Sequence, residues 1–114
     1  MSGRDPEVTA AVRFIRDNAH RPLSVDDVLR AAPTSRRSLE RRFRSILEHS
    51  IGEEIRRVHL ERVRDLLAST ALRMDEVAER AGFASVHYMS RIFRQEMGVT
   101  PTAYRRQVRN PAGI

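Results

Sequence analysis

The sequence predicts an all-α fold of about seven helices, forming two helix-turn-helix subdomains joined by a long central helix. Three observations lead there. Apolar residues recur at spacings of three and four along the chain, while no alternating run of β-branched residues marks a strand. Capping residues and Gly or Pro stops cut the periodic stretches into short pieces. The first half also repeats in the second: Ser35, Arg41, Phe43 and Arg44 recur as Ser85, Arg91, Phe93 and Arg94.

The first helix opens at Asp5-Pro6-Glu7, where a cap, a proline at the first helical position and an acid near the N-terminus coincide. Val8, Ala11, Val12, Ile15 and Ala19 give it one apolar stripe, which ends before Arg21-Pro22. Ser24 caps a short second helix with Val25, Val28, Leu29 and Ala32 inward, and Pro33-Thr34 breaks it. A third helix runs from Ser35 to about Glu48 with Leu39, Phe43, Ile46 and Leu47 on one face. In Ser50-Ile51-Gly52-Glu53, Ser50 and Glu53 satisfy each other's orphan amides and start the longest helix, about Ile51 to Ser69. Ile55, Val58, Val63, Leu66 and Leu67 are its apolar positions. A fifth helix, Met74 to Ala81, buries Met74, Val77, Ala78 and Ala81 and closes on Gly82 as a left-handed cap. The sixth runs from Ser85 to Met97 and stops at Gly98; Thr100-Pro101 opens a short seventh carrying Tyr104. Residues 5–50 are thus a first subdomain, 51–70 the connecting helix, 71–108 a second subdomain, and 109–114 a loose tail.

Each repeat unit reads as a short helix, a tight turn and a serine-capped helix, the helix-turn-helix pattern. Leu39 is matched by Met89 and Ser50-Ile51 by Thr100-Pro101, while the turn Pro33-Thr34 is one residue shorter than Gly82-Phe83-Ala84. At 100° per residue, Arg37, Arg41 and Arg44 form a stripe beside the core face of the third helix, with Arg42 on the opposite flank. His87, Arg91 and Arg94 form the corresponding stripe on the sixth. Clustered arginines repel one another by a few tenths of a kcal/mol per pair, so a sequence that keeps them gains something in return. A phosphate or base partner supplies that gain; a solvated polar face, with Glu40 bridging Arg36 and Arg44, is the plainer alternative.

Composition narrows the function classes. The chain has 114 residues, a net charge of +6 and 21 basic residues, every one an arginine. Excess positive charge favours polyanions through counterion release, and the guanidinium fork matches phosphate or guanine bidentately. A high-GC coding bias accounts equally for Arg in place of Lys. With no cysteine, disulfides, thiolate zinc sites and cysteine nucleophiles are excluded. No apolar run approaches the roughly 18 residues that cross a bilayer, and no signal-peptide core is present, so a cytoplasmic location with no membrane partner is expected. His20, His49, His59 and His87 lack metal-ligand spacing, and no Gly-rich phosphate loop exists, so neither catalysis nor a cofactor is expected.

The second unit resembles the DNA-binding domain of the AraC/XylS transcription regulators. The resemblance lies in Val77-Ala78, Ala81-Gly82-Phe83, Ser85, Tyr88, Arg91, Phe93-Arg94, Gly98, Thr100-Pro101 and Tyr104-Arg105. Upstream, Leu60-Glu61-Arg62-Val63-Arg64-Asp65-Leu66-Leu67 is similar to the family's connecting helix, and Ser35, Leu39, Arg41 and Phe43 match its weaker first-unit pattern. Val25-Asp26-Asp27-Val28-Leu29 to Ser35-Arg36 looks most like the xylose-operon regulators. Three residues depart from the pattern: Met89 for Phe, Arg73 where a serine caps the fifth helix, and Pro33 for Gly.

The resemblance implies tandem recognition helices in successive major grooves, set apart by a connecting helix of about 27 Å beside a DNA repeat of about 34 Å. It implies base contacts from Arg36, Arg37, Glu40 and Arg41 in the third helix and from Val86, His87, Ser90 and Arg91 in the sixth. Ser35, Arg42, Arg44, Ser85, Arg94 and Thr100 fall to the phosphate backbone. Double-stranded DNA is then the partner and transcriptional activation, through RNA polymerase, the expected outcome. The effector domain that most family members carry is not in this chain, whose ends suit either a complete small regulator or an excised C-terminal domain. The rival reading is a helical protein-interaction or RNA-binding module; the lack of an aromatic platform for unpaired bases counts against the RNA form.

Overall fold

A computed structural model describes residues 5–110, which form seven α-helices and, among the described residues, no strand. These are α1 (Pro6–Asp17), α2 (Val25–Ala31), α3 (Arg36–Leu47), α4 (Ile51–Ser69), α5 (Met74–Arg80), α6 (Val86–Met97) and α7 (Pro101–Arg109). The tail expected over 109–114 begins inside α7, whose last residue is Arg109; residues 111–114 lie outside the described residues.

Local chemistry explains nearly every helix start. Asp5 accepts from the N–H groups of Glu7 and Val8, both at 3.1 Å, ahead of Pro6. Ser24 and Asp27 cap each other reciprocally at 3.0 and 3.1 Å, as do Ser50 and Glu53 at 2.7 and 3.1 Å. Ser35, Ser85 and Thr100 accept from Ser38, Tyr88 and Ala103 at 3.2, 3.1 and 3.1 Å. Arg73 is the exception, since a guanidinium has no acceptor to offer. Only half a box forms there, with Arg73 N–H donating to Glu76 at 3.1 Å.

The repeat survives in three dimensions. Helices α3 and α6 share their bounds fifty residues apart, and both end on a left-handed residue, Glu48 at φ 66° and Gly98 at φ 78°. Helices α2 and α5 begin at Val25 and Met74, one residue closer, so the extra residue falls in the turn holding Gly82 at φ 87°. Such an angle costs an L-residue about 1–2 kcal/mol, which glycine avoids.

The chain divides into two compact units, residues 5–19 with 23–58 and residues 20–22 with 59–110, the division falling inside α4. The core of the first holds Val8, Ala11 and Ile15 of α1, Val28 of α2, Leu39 and Phe43 of α3, and Ile51, Ile55 and Val58 of α4. The second gathers Leu60, Val63 and Leu67 of α4, Val77 and Ala78 of α5, Phe83, and Met89, Ile92 and Phe93 of α6. Phe43 and Phe93 are fully buried, each worth roughly 1.5–3 kcal/mol of transfer free energy. Ile46 corrects the expectation that the whole apolar face of α3 is inward, for it is 37% exposed. Leu39 and Phe43 already fill the interior, and Ile46 stands at the margin of that face.

Each unit encloses one polar side chain that finds partners. In the first, the Glu54 carboxylate is almost wholly enclosed and accepts from His49 Nε2 at 2.6 Å and from Arg57 at 3.0 Å through both oxygens. Burial works to raise the Glu54 carboxyl, but Arg57 and His49 outweigh it and hold it below the usual range. In the second, His59 Nε2 donates to the Arg21 carbonyl at 3.0 Å, and burial pushes this imidazole below its ordinary value. The open carbonyls around the end of α4 are closed by arginines. Arg105 donates to Leu67 and Leu72 at 3.1 and 2.7 Å, and Arg109 donates to Leu67 and Thr70.

Candidate nucleic-acid interface

On α3 the serine cap at Ser35 turns the chain so that Leu39 and Phe43 point inward, which throws Arg37, Arg41 and Arg44 outward. All three are exposed. Among the described residues Arg37 and Arg41 meet no carboxylate, and Arg44 acts on Glu53 through space, helping to hold its carboxyl below the usual range behind the larger effect of the Ser50 hydrogen bonds. Arg36 is held between Asp26 at 3.1 Å and Glu40 at 3.2 Å, so Glu40 is already an intrahelical partner.

Arg42 has a separate task. Its guanidinium, 28% exposed, lies on Asp5 at 2.6 Å and Glu7 at 3.1 Å, with Thr34 and Ser38 completing its bonds. The backbone N–H of Val8 lowers the Asp5 carboxyl most, and Arg42 adds to it. A side chain anchored in this way ties α1 to α3, and its donors are committed within the protein.

On α6, His87, Arg91 and Arg94 are exposed, Ser90 is half-buried, and Val86 packs against the core of the second unit. The Arg91 guanidinium sits 5.2 Å over the ring of Tyr88, which in turn leans on Phe83 at 5.8 Å. That stack orients Arg91 without neutralising it. Tyr88 was not among the expected contact residues, although its i, i+3 spacing to Arg91 was the available signal. Ser90, Arg91, Arg94, Gln95 and Thr100 line an open groove of about 570 Å³, a concave cationic surface beside the start of α7. The two N-caps, Ser35 and Ser85, and the cap at Thr100 spend their oxygens on their own helices, leaving N-terminal amides near the arginines.

Each unit therefore offers an exposed cationic stripe on the second helix of its helix-turn-helix. A helix-turn-helix domain family model matches residues 28–107, most of the chain and both stripes. The chain belongs to the AraC-type helix-turn-helix family. It is 37% identical over 101 residues to the xylose operon regulatory protein of Escherichia coli, covering 89% of this chain and 26% of that protein. Among solved structures, a xylose-binding transcription activator matches at TM-score 0.79 and 36% identity, covering 92% of this chain and 28% of that one. The DNA-binding domain of AdpA, solved in complex with a target DNA, matches at TM-score 0.84 and 29% identity, covering 92% and 96%. This chain spans about a quarter of the length of the xylose regulators it resembles. The described residues of this AraC-type chain form seven helices in the order the sequence predicts, and none of these helices is long and apolar enough to cross a membrane.

Proposed function

We propose that this chain binds double-stranded DNA sequence-specifically, with α3 and α6 as recognition helices in successive major grooves, and regulates transcription as an activator. The carrying observation is the exposed arginine stripe that recurs on the equivalent helix of each unit, with Arg37, Arg41, Arg91 and Arg94 unmatched by any carboxylate among the described residues. Family membership and the likeness to a DNA-bound relative support the same reading.

Arg37 and Arg41 suit guanine O6 and N7, while Glu40 leaves its partner Arg36 to accept from cytosine N4. Val86, His87 and Ser90 suit methyl contacts and single hydrogen bonds, and Arg91 enters the groove already oriented by Tyr88. Arg44, Arg94, Ser35, Ser85 and Thr100 serve the phosphates, whereas Arg42 stays with Asp5 and Glu7. The two compact units serve as the two subdomains, α4 as their connection. RNA polymerase is the further partner of an activator, the cytoplasm is where a bacterial operator is met, and no catalytic step is involved.

Affinity measured against salt on a duplex selected from a random library tests this. With about 6–8 phosphates neutralised, log K falls with log salt at a slope of roughly −5 to −7. A flat response overturns the DNA reading. Arg41→Ala and Arg91→Ala each weaken specific binding by about 1–3 kcal/mol and relax one base position. Equal losses on random and selected duplexes would reassign both to the backbone.

A further inference from the structure

The equivalent arginines of the two units, Arg41 and Arg91, are held differently. In the second unit a column of rings rises from the core to the surface. His59 lies 5.6 Å from Phe83, Phe83 lies 5.8 Å from Tyr88, and the Arg91 guanidinium sits 5.2 Å over the Tyr88 ring. His59 and Phe83 are buried, whereas Tyr88 is 43% exposed, one of the few large hydrophobic side chains so placed among the described residues. Its backbone is fixed as well, the Tyr88 N–H donating to the Ser85 hydroxyl at 3.1 Å.

The repeat supplies the contrast. At the register of Tyr88, α3 has Ser38, whose hydroxyl accepts from Arg42 at 3.2 Å. The preceding turn, Pro33-Thr34, has no ring to match Phe83. Arg41 is exposed and has neither ring nor carboxylate against it among the described residues.

The kind of support matters. A ring holds a guanidinium by its face, while the five N–H donors lie in the guanidinium plane. Arg91 is therefore confined with its donors free, where a carboxylate would confine it by consuming them. Guanine O6 and N7 take two such donors at once, and a side chain already confined loses less freedom on meeting them. Confinement also penalises the wrong base. A free arginine escapes a mismatch by swinging to a nearby phosphate, whereas a held one leaves its donors unpaired.

We propose, building on α6 as a DNA recognition helix, that Tyr88 is a positioning residue that sets how strictly the second unit reads its base pair. The two units then read DNA with unequal stringency, strict at Arg91 and tolerant at Arg41.

The test measures the affinity of the full chain for its selected duplex and for duplexes changed at single base pairs. The pairs belonging to Arg91 and Arg41 are those that Arg91→Ala and Arg41→Ala relax. The parent discriminates more sharply at the Arg91 pair. Tyr88→Leu lowers discrimination there about three- to fivefold and leaves the Arg41 pair unchanged, while Tyr88→Phe discriminates like the parent. In an Arg91→Ala background Tyr88→Leu changes base preference no further, which separates positioning from a loss of structure. Side-chain NMR of the free chain adds an arm without DNA: the Tyr88 ring shifts the Arg91 δ-protons upfield, an effect kept by Tyr88→Phe and lost in Tyr88→Leu. The proposal is overturned if the parent reads both pairs equally strictly, if either alanine variant relaxes no pair, or if the parent shows no ring shift. It also falls if Tyr88→Leu weakens every duplex equally, if its effect persists without Arg91, or if Tyr88→Phe discriminates as poorly as Tyr88→Leu. A parent that prefers no duplex overturns the DNA reading and this proposal with it. A parent that discriminates, beside a Tyr88→Leu chain that discriminates equally, overturns this proposal alone.

Discussion

At one register of the duplicated helices the first unit has Arg42 and the second Ile92. Ile92 is 4% exposed among apolar neighbours, whereas Arg42 forks onto Asp5 and Glu7 and holds the start of α1 against α3. The backbone is the same, and so is the burial of the phenylalanine that follows, Phe43 or Phe93. What differs is the neighbour. The first unit has a helix, α1, that must be fastened from outside, and a fork with two carboxylates fastens it. The second unit fastens with α7 instead, through Tyr104 against Phe93 at 5.5 Å and through Arg105. A duplicated motif thus keeps its interior and exchanges its margin.

Swapping the margins should break that equivalence unevenly. Ile92→Arg buries a guanidinium with no carboxylate to receive it and should cost at least about 3 kcal/mol, read as a large fall in the denaturation midpoint. Arg42→Leu loses a partly exposed ion pair and should lower the melting temperature by clearly less. Equal losses would mean that the two positions are not equivalent in their surroundings.

A smaller effect separates the two helix ends. Glu48 and Gly98 adopt the same left-handed conformation, and a Cβ built on Gly98 meets nothing within 4 Å. Glu48→Gly should therefore stabilise the first unit by about 0.5–1 kcal/mol, while Gly98→Ala should destabilise the second by about 1 kcal/mol. Thermal melts of the pair check both signs.

Acid should reach the units in order, with the smallest effect of the three. The folded His59 is depressed from an ordinary 6.5, so the unfolded chain binds a proton that the folded one resists. Its contribution is full above about pH 6.5 and is lost as pH falls through the folded value. Glu54 is depressed from 4.5, so its contribution is full above that value and lost only further into acid. Hydrogen exchange followed against pH should show the second unit loosening first, and His59→Gln should flatten that early loss. Loosening of the first unit above pH 5 would contradict the order.

The helices were legible because their signals are local. Ser24, Ser35, Ser50, Ser85 and Thr100 each cap within three residues, and Leu39, Phe43, Met89 and Phe93 fall where helical spacing puts them. The missing half of a box at Arg73 was equally readable. Arg42 was not, since an arginine bound to Asp5 reads in sequence like its neighbours Arg41 and Arg44. Its partner lies thirty-seven residues away. Ile46 misled for a related reason: helical spacing defines a face, and only the width of the neighbouring helix decides how much of that face is covered. Enclosed His59 resembles a surface residue until its partner Arg21, far away in the chain, is known, whereas Glu54 has its partners His49 and Arg57 close by and hides only its burial.

The arginine closure around the end of α4 bears on how the chain emerges from a ribosome. Leu67 is translated thirty-eight residues before the Arg105 that caps its carbonyl. Until α7 has left the exit tunnel, the carbonyls of Leu67, Thr70 and Leu72 lack the arginines that close them, although Ser69 and Thr70 already meet those of Asp65 and Leu66. Synthesis thus favours completion of the first unit while the second waits for its final helix, so premature termination after Gly98 would release a chain with one half finished and the other unsealed.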